Sequence, residues 1–243
     1  MQSAGAHYET HLGPIYSWML GDLDTAFVHA AAEIDELKLG AAAGALAVDL
    51  GAGLGLHALP LAQRGFKVTA IDSCQVLLDE LQLRGAGLPI IVHNADLLEF
   101  RSHIKERPAV ILCMGDTLTH LPSMKAVESL LESVADSLAS AGMFAATFRD
   151  YATKTLEGDA RFIPVRADEH RILTCFLEYA GERVTVHDVL HSKEQGRWRQ
   201  IVSSYPKLRL APDWVAAHLS KLGFSVRRDA AANGMVRIVG IRK

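Results

Sequence analysis

The sequence predicts an α/β fold, a mostly parallel sheet with helices on both faces, with an antiparallel β insertion late in the chain. Three observations carry that expectation. Between residues 46 and 148 short apolar runs alternate with helix-length connections, the pattern of strands that lie parallel. Runs such as Ala109-Val-Ile-Leu-Cys-Met are apolar almost throughout, as strands covered on both faces require. From Tyr151 the period changes to two, with hairpin-type connections at Ala180-Gly-Glu182 and Lys193-Glu-Gln-Gly196.

The elements follow in order. Residues 7–38 read as two helices. The first, His7 to Met19, carries Tyr8, Leu12, Ile15, Tyr16 and Met19 at helical spacing and is interrupted by Gly13-Pro14. Gly21 breaks it. Asp22 or Asp24 caps the second, whose Phe27, Ala30, Ala31, Ile34 and Leu37 share a face. Gly40 to Gly44 is an Ala/Gly linker. Leu46 to Leu50 is a buried strand that breaks into a loop with glycines at 51, 53 and 55, and a helix opens at His57. Strands at Lys67–Asp72, Pro89–His93, Ala109–Met114 and Met143–Phe148 alternate with helices at Gln75–Arg84, near Leu98, and at Met124–Ser140. The antiparallel insertion brings strands at 171–180, 183–191 and 197–205. Ala211-Pro212 opens a helix to Leu222, and Phe224–Arg228 with Val236–Ile241 close the chain as strands.

At 243 residues, 49% hydrophobic and 22% charged, the composition is that of an ordinary globular chain. Cys74, Cys113 and Cys175 are too scattered for a disulfide framework, and no apolar run reaches 18 residues. His7, Glu9 and His11 stand where a signal peptide would be apolar, so a cytoplasmic setting without a membrane partner is expected. Charge is divided unevenly. Residues 1–160 hold 10 Lys/Arg against 20 Asp/Glu, and residues 161–243 hold 15 against 8. That division fits solvated faces, or a later part that meets something anionic.

The chemistry gathers where strands end. A strand, a glycine loop and a helix in that order form a cradle, because glycine lets backbone approach a ligand and the helix start offers free N–H groups. The dinucleotide fingerprint G-x-G-x-x-G needs a third glycine where this chain has Leu56; here the glycines alternate as Gly51, Gly53 and Gly55, with Asp49 two residues ahead. Asp72, 21 residues after Gly51 and followed by Ser73, ends the second strand, where a carboxylate suits ribose hydroxyls. Asp96-Leu97 follows the third strand and Met114-Gly-Asp116 the fourth. The acids at 49, 72, 96 and 116 fall on one edge of the sheet, the carboxyl edge at which open α/β sheets bind ligands.

This Asp-x-Gly-x-Gly-x-Gly loop resembles the first motif of class I S-adenosylmethionine-dependent methyltransferases, and Leu112-Cys-Met-Gly-Asp-Thr117 resembles their fourth. The resemblance covers about residues 45–150, and the closing helix and strands match the end of that fold. It implies a Rossmann-like seven-stranded sheet with the last strand antiparallel inside it, and S-adenosylmethionine as cofactor. It further implies that the loop glycines, Asp49, Asp72, Ser73, Asp96, Leu97, Met114 and Asp116 hold the cofactor, with Asp96 accepting from the adenine amino group. The flanking parts resemble small-molecule N-methyltransferases of the glycine and amino-sugar type, by architecture and by pieces such as Tyr16 and Arg209-Leu210. Residues 1–40 are then a helical lid that brings Tyr16 to the cofactor, 41–150 with 211–243 the cofactor domain, and 151–210 a substrate cap.

For the transfer itself, His120, four residues after Asp116, is the best-placed base, and Arg149 and Tyr151 leave the fifth strand toward the same cleft. His120 also suits a helix-start residue bonded to backbone, and Arg149 a partner of Asp150. Arg149, Arg161, Arg166 and Arg171 suggest a clamp for a carboxylate- or phosphate-bearing small-molecule acceptor. Cys113 reads as core, His187 and His191 as hairpin residues rather than metal ligands, and Lys193 with Arg197-Trp-Arg199 as a solvated hairpin, so a nucleic-acid partner is disfavoured. The leading expectation is methyl transfer to a small molecule, at nitrogen. The alternatives are an RNA or protein methyltransferase using the basic C-terminal third, and a protein of this fold that binds the nucleoside or uses the sulfonium otherwise. The oligomeric state stays open.

Overall fold

A computed structural model describes residues 3–40 and 44–243. The expected linker at Gly40–Gly44 falls largely on residues 41–43, outside the described residues. The chain begins with α1 (Ala4–His7), a π-helical turn (Tyr8–Leu12), a 3₁₀ turn (Gly13–Ile15) and α2 (Tyr16–Leu20). Gly13-Pro14 therefore changes the winding without ending it. A Cβ on Gly13 would stand 2.7 Å from the Tyr8 carbonyl oxygen, so glycine permits the tighter path. Pro14 sits at the start of its turn, where no amide donor is required. Gly21, at φ +91°, ends α2, and Asp22 caps α3 (Leu23–Glu36) by accepting from the Asp24 amide at 3.2 Å and the Thr25 hydroxyl at 2.7 Å.

The main sheet is built from β1 (Leu46–Leu50), α4 (Ala58–Gln63), β2 (Lys67–Asp72), α5 (Gln75–Arg84), β3 (Ile90–Asn94), β4 (Val110–Cys113), α6 (Met124–Ser137) and β5 (Met143–Phe148). The segment near Leu98 is a 3₁₀ turn, Leu97–His103. After the insertion come α7 (Pro212–Lys221) and two more strands at Phe224–Ala230 and Val236–Arg242. Seven strands pair, and the last of the chain inserts antiparallel between β5 and its own predecessor. Alternation along β1 divides the core. Val48 and Leu50 face α6 and α7, through Val127, Leu130, Val134 and Val215. Ala47 faces the other way, where Ile34 of α3, Leu61 of α4 and Leu81 of α5 pack. Every residue of β1 and β4 is buried, which explains why both are apolar but for Asp49 of β1.

The insertion forms a second sheet of four antiparallel strands, β6 (Phe162–Ala167), β7 (Arg171–Ala180), β8 (Arg183–Glu194) and β9 (Arg197–Leu208), so the closing strands are β10 and β11. Sequence reading missed β6. It is an edge strand whose register slips between Pro164 and Arg166, and its Pro and charges conceal it. β8 and β9 also run further than expected: β8 continues to Glu194, which pairs with Arg197 at an exposed tip, and β9 continues through Pro206 and Lys207 to Leu208, which pairs with Arg183 at the other end. No described helix is long and apolar enough to cross a membrane.

Candidate active site

The carboxyl ends of β1, β2, β3 and β4 open onto one cavity of about 720 Å³, of a size that holds a small ligand. The order β4-β1-β2 places it where the strand sequence reverses about β1. The loop after β1 forms its first wall with Gly51, Gly53 and Leu54. Gly51 has φ +76°, and its amide and that of Ala52 both donate to the Ile71 carbonyl, at 2.8 and 3.1 Å. A Cβ on Gly51 would lie 2.4 Å from the Thr117 side chain, so only glycine fits between the two loops. Asp72 and Ser73 continue the wall after β2, and Asp96 and Leu97 after β3. Asp72 Oδ2 accepts from the Gly53 amide and Oδ1 from the Cys74 amide, both at 2.8 Å. Burial raises the pKa of that carboxyl against those bonds. Met114, Thr117 and His120 complete the wall after β4.

The other side of the cavity comes from two distant parts of the chain. Ser3 to Gly5, Tyr8 and Tyr16 of the N-terminal segment line it, as do Arg183 of β8 and Pro206 of β9. The N-terminal segment is fixed at both flanks. Glu9 accepts the Gln75 amide at 2.9 Å, so a residue 66 positions away caps α5, whose own N-cap Cys74 makes no side-chain capping bond. On the opposite flank His7, fully buried, has Nε2 2.8 Å from Asp188 Oδ2 of β8 and Nδ1 2.7 Å from Ser203 Oγ of β9. Its ring stacks on Tyr205 at 4.2 Å.

Several expected residues take other places. Asp49 is 1% exposed and not on the cavity wall. It points to the face opposite Val48, under the start of α4, where the Ala58 amide donates to it. Burial raises its carboxyl to about 6, and Oδ2 has no partner. Gly55 does not line the cavity either; a Cβ there would sit 2.3 Å from Leu81 Cδ1, so this glycine serves packing of the loop on α5. Asp116 lies behind the wall, paired with Lys207. Tyr151, buried, reaches Asp116 at 3.5 Å rather than the cavity, and Arg149 contributes its backbone amide to Asp116 at 2.9 Å.

The four arginines do not form a clamp. Arg166 and Arg171 stand over Trp18, Arg161 stands over Phe176, and none lines the cavity. Cys113 is buried in the core. His187 bonds Glu178 and Ser204, and no metal-binding cluster occurs among the described residues.

His120 is on the wall, between the rings of Tyr8 at 5.4 Å and Tyr205 at 5.6 Å. Its Nε2 is buried without a partner. Burial, and after it the charge of Lys207, lowers its pKa to about 3, so the imidazole is neutral near pH 7. Sequence reading offered Tyr8 as one of the lid's aromatic rings without assigning it to the cofactor, and missed Arg183, Pro206 and Lys207. Only Tyr8 carried a signal, since it lies two helical turns before Tyr16 on the same face.

Residues 47–142 match the family model of the methyltransferase domain. No curated protein matches the chain in sequence. Among solved structures, the CcbJ methyltransferase of Streptomyces caelestis superposes with a TM-score of 0.77 at 19% identity, covering 98% of both chains. An amino pentose methyltransferase of Micromonospora echinaspora, solved with SAM bound, gives 0.70 at 17% identity over 95% of this chain and 94% of that one. A sugar N-methyltransferase of Streptoalloteichus gives 0.72 at 14% identity over 89% and 88%. Likeness at these identities concerns the fold.

Proposed function

We propose that this chain, whose residues 47–142 match the model of the methyltransferase domain, binds S-adenosylmethionine in the 720 Å³ cavity and methylates an amine nitrogen of a small, sugar-sized acceptor. The observation that carries this reading is the run of ligand-facing groups along one sheet edge: the Gly51–Gly53 loop, then Asp72, then Asp96, beneath a roof from two other parts of the chain. The residues present suit the cofactor. Each Asp72 oxygen spends one lone pair on a backbone amide and keeps acceptor capacity for a ribose hydroxyl. Asp96 Oδ1 is held by the Leu98 amide at 2.9 Å, leaving Oδ2 for an adenine amino group beside Leu97. When bound, S-adenosylmethionine supplies a methyl group made electrophilic by its sulfonium.

The remaining work falls to the chain's own side chains. Tyr8 and Tyr16, with ring centroids 6.0 Å apart, present aromatic surface on which a sulfonium gains about 0.5–2 kcal/mol. Burial holds both phenols protonated by raising their pKa. His120 Nε2, neutral and unpartnered, accepts a hydrogen bond from the N–H of the acceptor and orients its lone pair. The roof excludes competing water. An acceptor bearing a carboxylate or phosphate would meet Arg183, which lines the cavity and donates to the Pro122 carbonyl at 2.5 Å. The amine and sugar character draws support from two solved neighbours, one an amino pentose methyltransferase and the other a sugar N-methyltransferase. A cavity of this volume suits a small acceptor better than an RNA or a protein.

Calorimetry with S-adenosylmethionine, its demethylated product and NAD tests the cofactor. The first two bind and NAD does not, and Asp72→Ala weakens binding by about 1.5–3 kcal/mol, the value of hydrogen bonds to a charged group. Unchanged affinity in that variant removes Asp72 from the site. Transfer of a labelled methyl to pooled amino sugars, amines and RNA then tests the acceptor; label found only on RNA overturns the small-molecule reading.

A further inference from the structure

Behind the cavity wall lies a buried ion pair. Lys207 Nζ of β9 is 2.6 Å from Asp116 Oδ2, with side chains 9% and 4% exposed. Asp116 is a junction. Its backbone amide donates to the Thr147 carbonyl of β5 at 2.9 Å, its Oδ1 accepts from the Arg149 amide, and its carbonyl accepts from Thr119 Oγ1 at 2.7 Å, with Oδ1 3.2 Å from the same hydroxyl. It holds φ +77°, a left-handed conformation uncommon for a residue other than glycine. Thr119 immediately precedes His120, and the ammonium of Lys207 lies over the rings of Tyr151 and Tyr205, at 5.8 and 5.7 Å. Tyr205 is also the ring that meets His120. One charged contact thus joins the second sheet, the ends of β4 and β5, and the turn that carries His120. Buried ion pairs are poor stabilisers, since desolvating both charges offsets their attraction, so burial of this one invites another use.

We propose that Lys207 and Asp116 are positioning residues for methyl transfer: the pair locks the His120 turn under the roof and keeps the imidazole at the cavity wall as an uncharged acceptor. The inference rests on the methyltransferase reading of the cavity. Its chemistry follows from charge. A protonated His120 would repel a sulfonium, and its Nε2 could no longer accept from an amine. The charged and titratable groups around His120 are His7 and Tyr8 of the N-terminal segment, Tyr205 and Lys207 of β9, Asp116 of its own turn, and Arg183 at the cavity, with Arg149 and Tyr151 behind Asp116. The Lys207 cation disfavours a second positive charge here, and outweighs Asp116, which favours one.

The test reads His120 directly, by NMR titration of its imidazole in the cofactor-free protein, in the wild type and in Lys207→Met, Lys207→Arg and the double variant Lys207→Met/Asp116→Asn. The wild type and Lys207→Arg stay neutral through the accessible acid range. Lys207→Met raises the midpoint by at least one pH unit, and the double variant raises it less, because the favouring carboxylate is gone as well. With cofactor and an active acceptor, the acidic limb of kcat in Lys207→Met moves up with that midpoint, by about tenfold in rate per pH unit below it, while KM for the cofactor holds. A folded Lys207→Met protein whose His120 midpoint is unmoved overturns the proposal. Loss of the fold in both neutral variants overturns it too, since a structural strut alone accounts for that. Absence of methyl transfer with the expected titration order faults the cofactor reading and leaves the pair's effect on His120 standing.

Discussion

The two sides of the cavity are held by different kinds of contact. The sheet side is made of backbone bonds over short spans: Gly51 and Ala52 to Ile71, and the Gly53 amide to Asp72, 19 residues on. The roof is held by side chains that meet across long stretches of chain. His7 and Asp188 are 181 residues apart, Trp18 and Asp168 150, Lys207 and Asp116 91. The first kind of contact forms with the sheet and has its geometry before any ligand arrives. The second depends on a few polar contacts, each removable without touching the sheet. A cavity built this way is expected to open at its roof before its floor.

The largest effect expected from that difference is in His7→Ala. It leaves Asp188, 1% exposed, with Cys175 Sγ at 2.7 Å as its remaining side-chain partner. Removing one partner of a buried charged contact costs about 3–5 kcal/mol. Hydrogen exchange should show protection lost by about that amount over residues 4–20, with β1, β4 and β5 unchanged, and cofactor affinity should fall with it. Equal loss in both regions would show roof and floor to be one cooperative unit, and would end the comparison.

The same difference governs how much the sequence disclosed. The sheet was legible because burial on both faces writes continuous apolar strands such as Val110–Cys113, and because the glycine loop and Asp72 lie close in sequence. The antiparallel insertion read as hairpins and as a cap, but not which of its residues line the cavity, since nothing in local pattern puts Pro206 or Arg183 on the same wall as Tyr8. Asp49 misled for a related reason. Its position in the motif suggested a ligand, yet alternation along β1 turns it under α4. Asp116 misled because Lys207, its partner, is 91 residues away. The arginines misled because proximity in sequence to the insertion is not proximity to the cleft.

Asp49 gives the next effect in size, and it belongs to the floor. Burial raises its folded pKa to about 6 from an ordinary 3.8. The folded state therefore binds this proton more tightly than the unfolded state. Its contribution to stability is fully present below pH 4 and is lost as pH rises to about 6. Above that the ionised group costs about 2–3 kcal/mol. Asp49→Asn cannot ionise, so urea unfolding should show the variant gaining about that much on the wild type between pH 4 and pH 7. Protection over residues 4–20 should not change. A difference independent of pH would mean that the carboxyl is not the buried charge that its surroundings make it.

The smallest effect is at the outer rim, where Trp18 meets the β6–β7 turn. Its indole N–H donates to Asp168 Oδ2 at 2.5 Å, and the guanidinium groups of Arg166 and Arg171 stand 5.8 and 5.6 Å from its ring centre. Asp168 is held in turn by the His170 and Arg171 amides, both at 2.7 Å, so the turn is shaped before Trp18 arrives. A cation over an accessible indole contributes about 0.5–1 kcal/mol. Exchanging both arginines for glutamine should therefore loosen α2 by about 1–2 kcal/mol, less at high salt, where such attractions are screened. The same pair of variants separates two uses of these residues. Arginines that hold the lid give faster exchange over α2, with KM for the acceptor unchanged. Arginines that grip an anionic acceptor raise that KM and leave exchange over α2 as it was. The positions of both guanidinium groups on Trp18, away from the cavity wall, favour the first outcome.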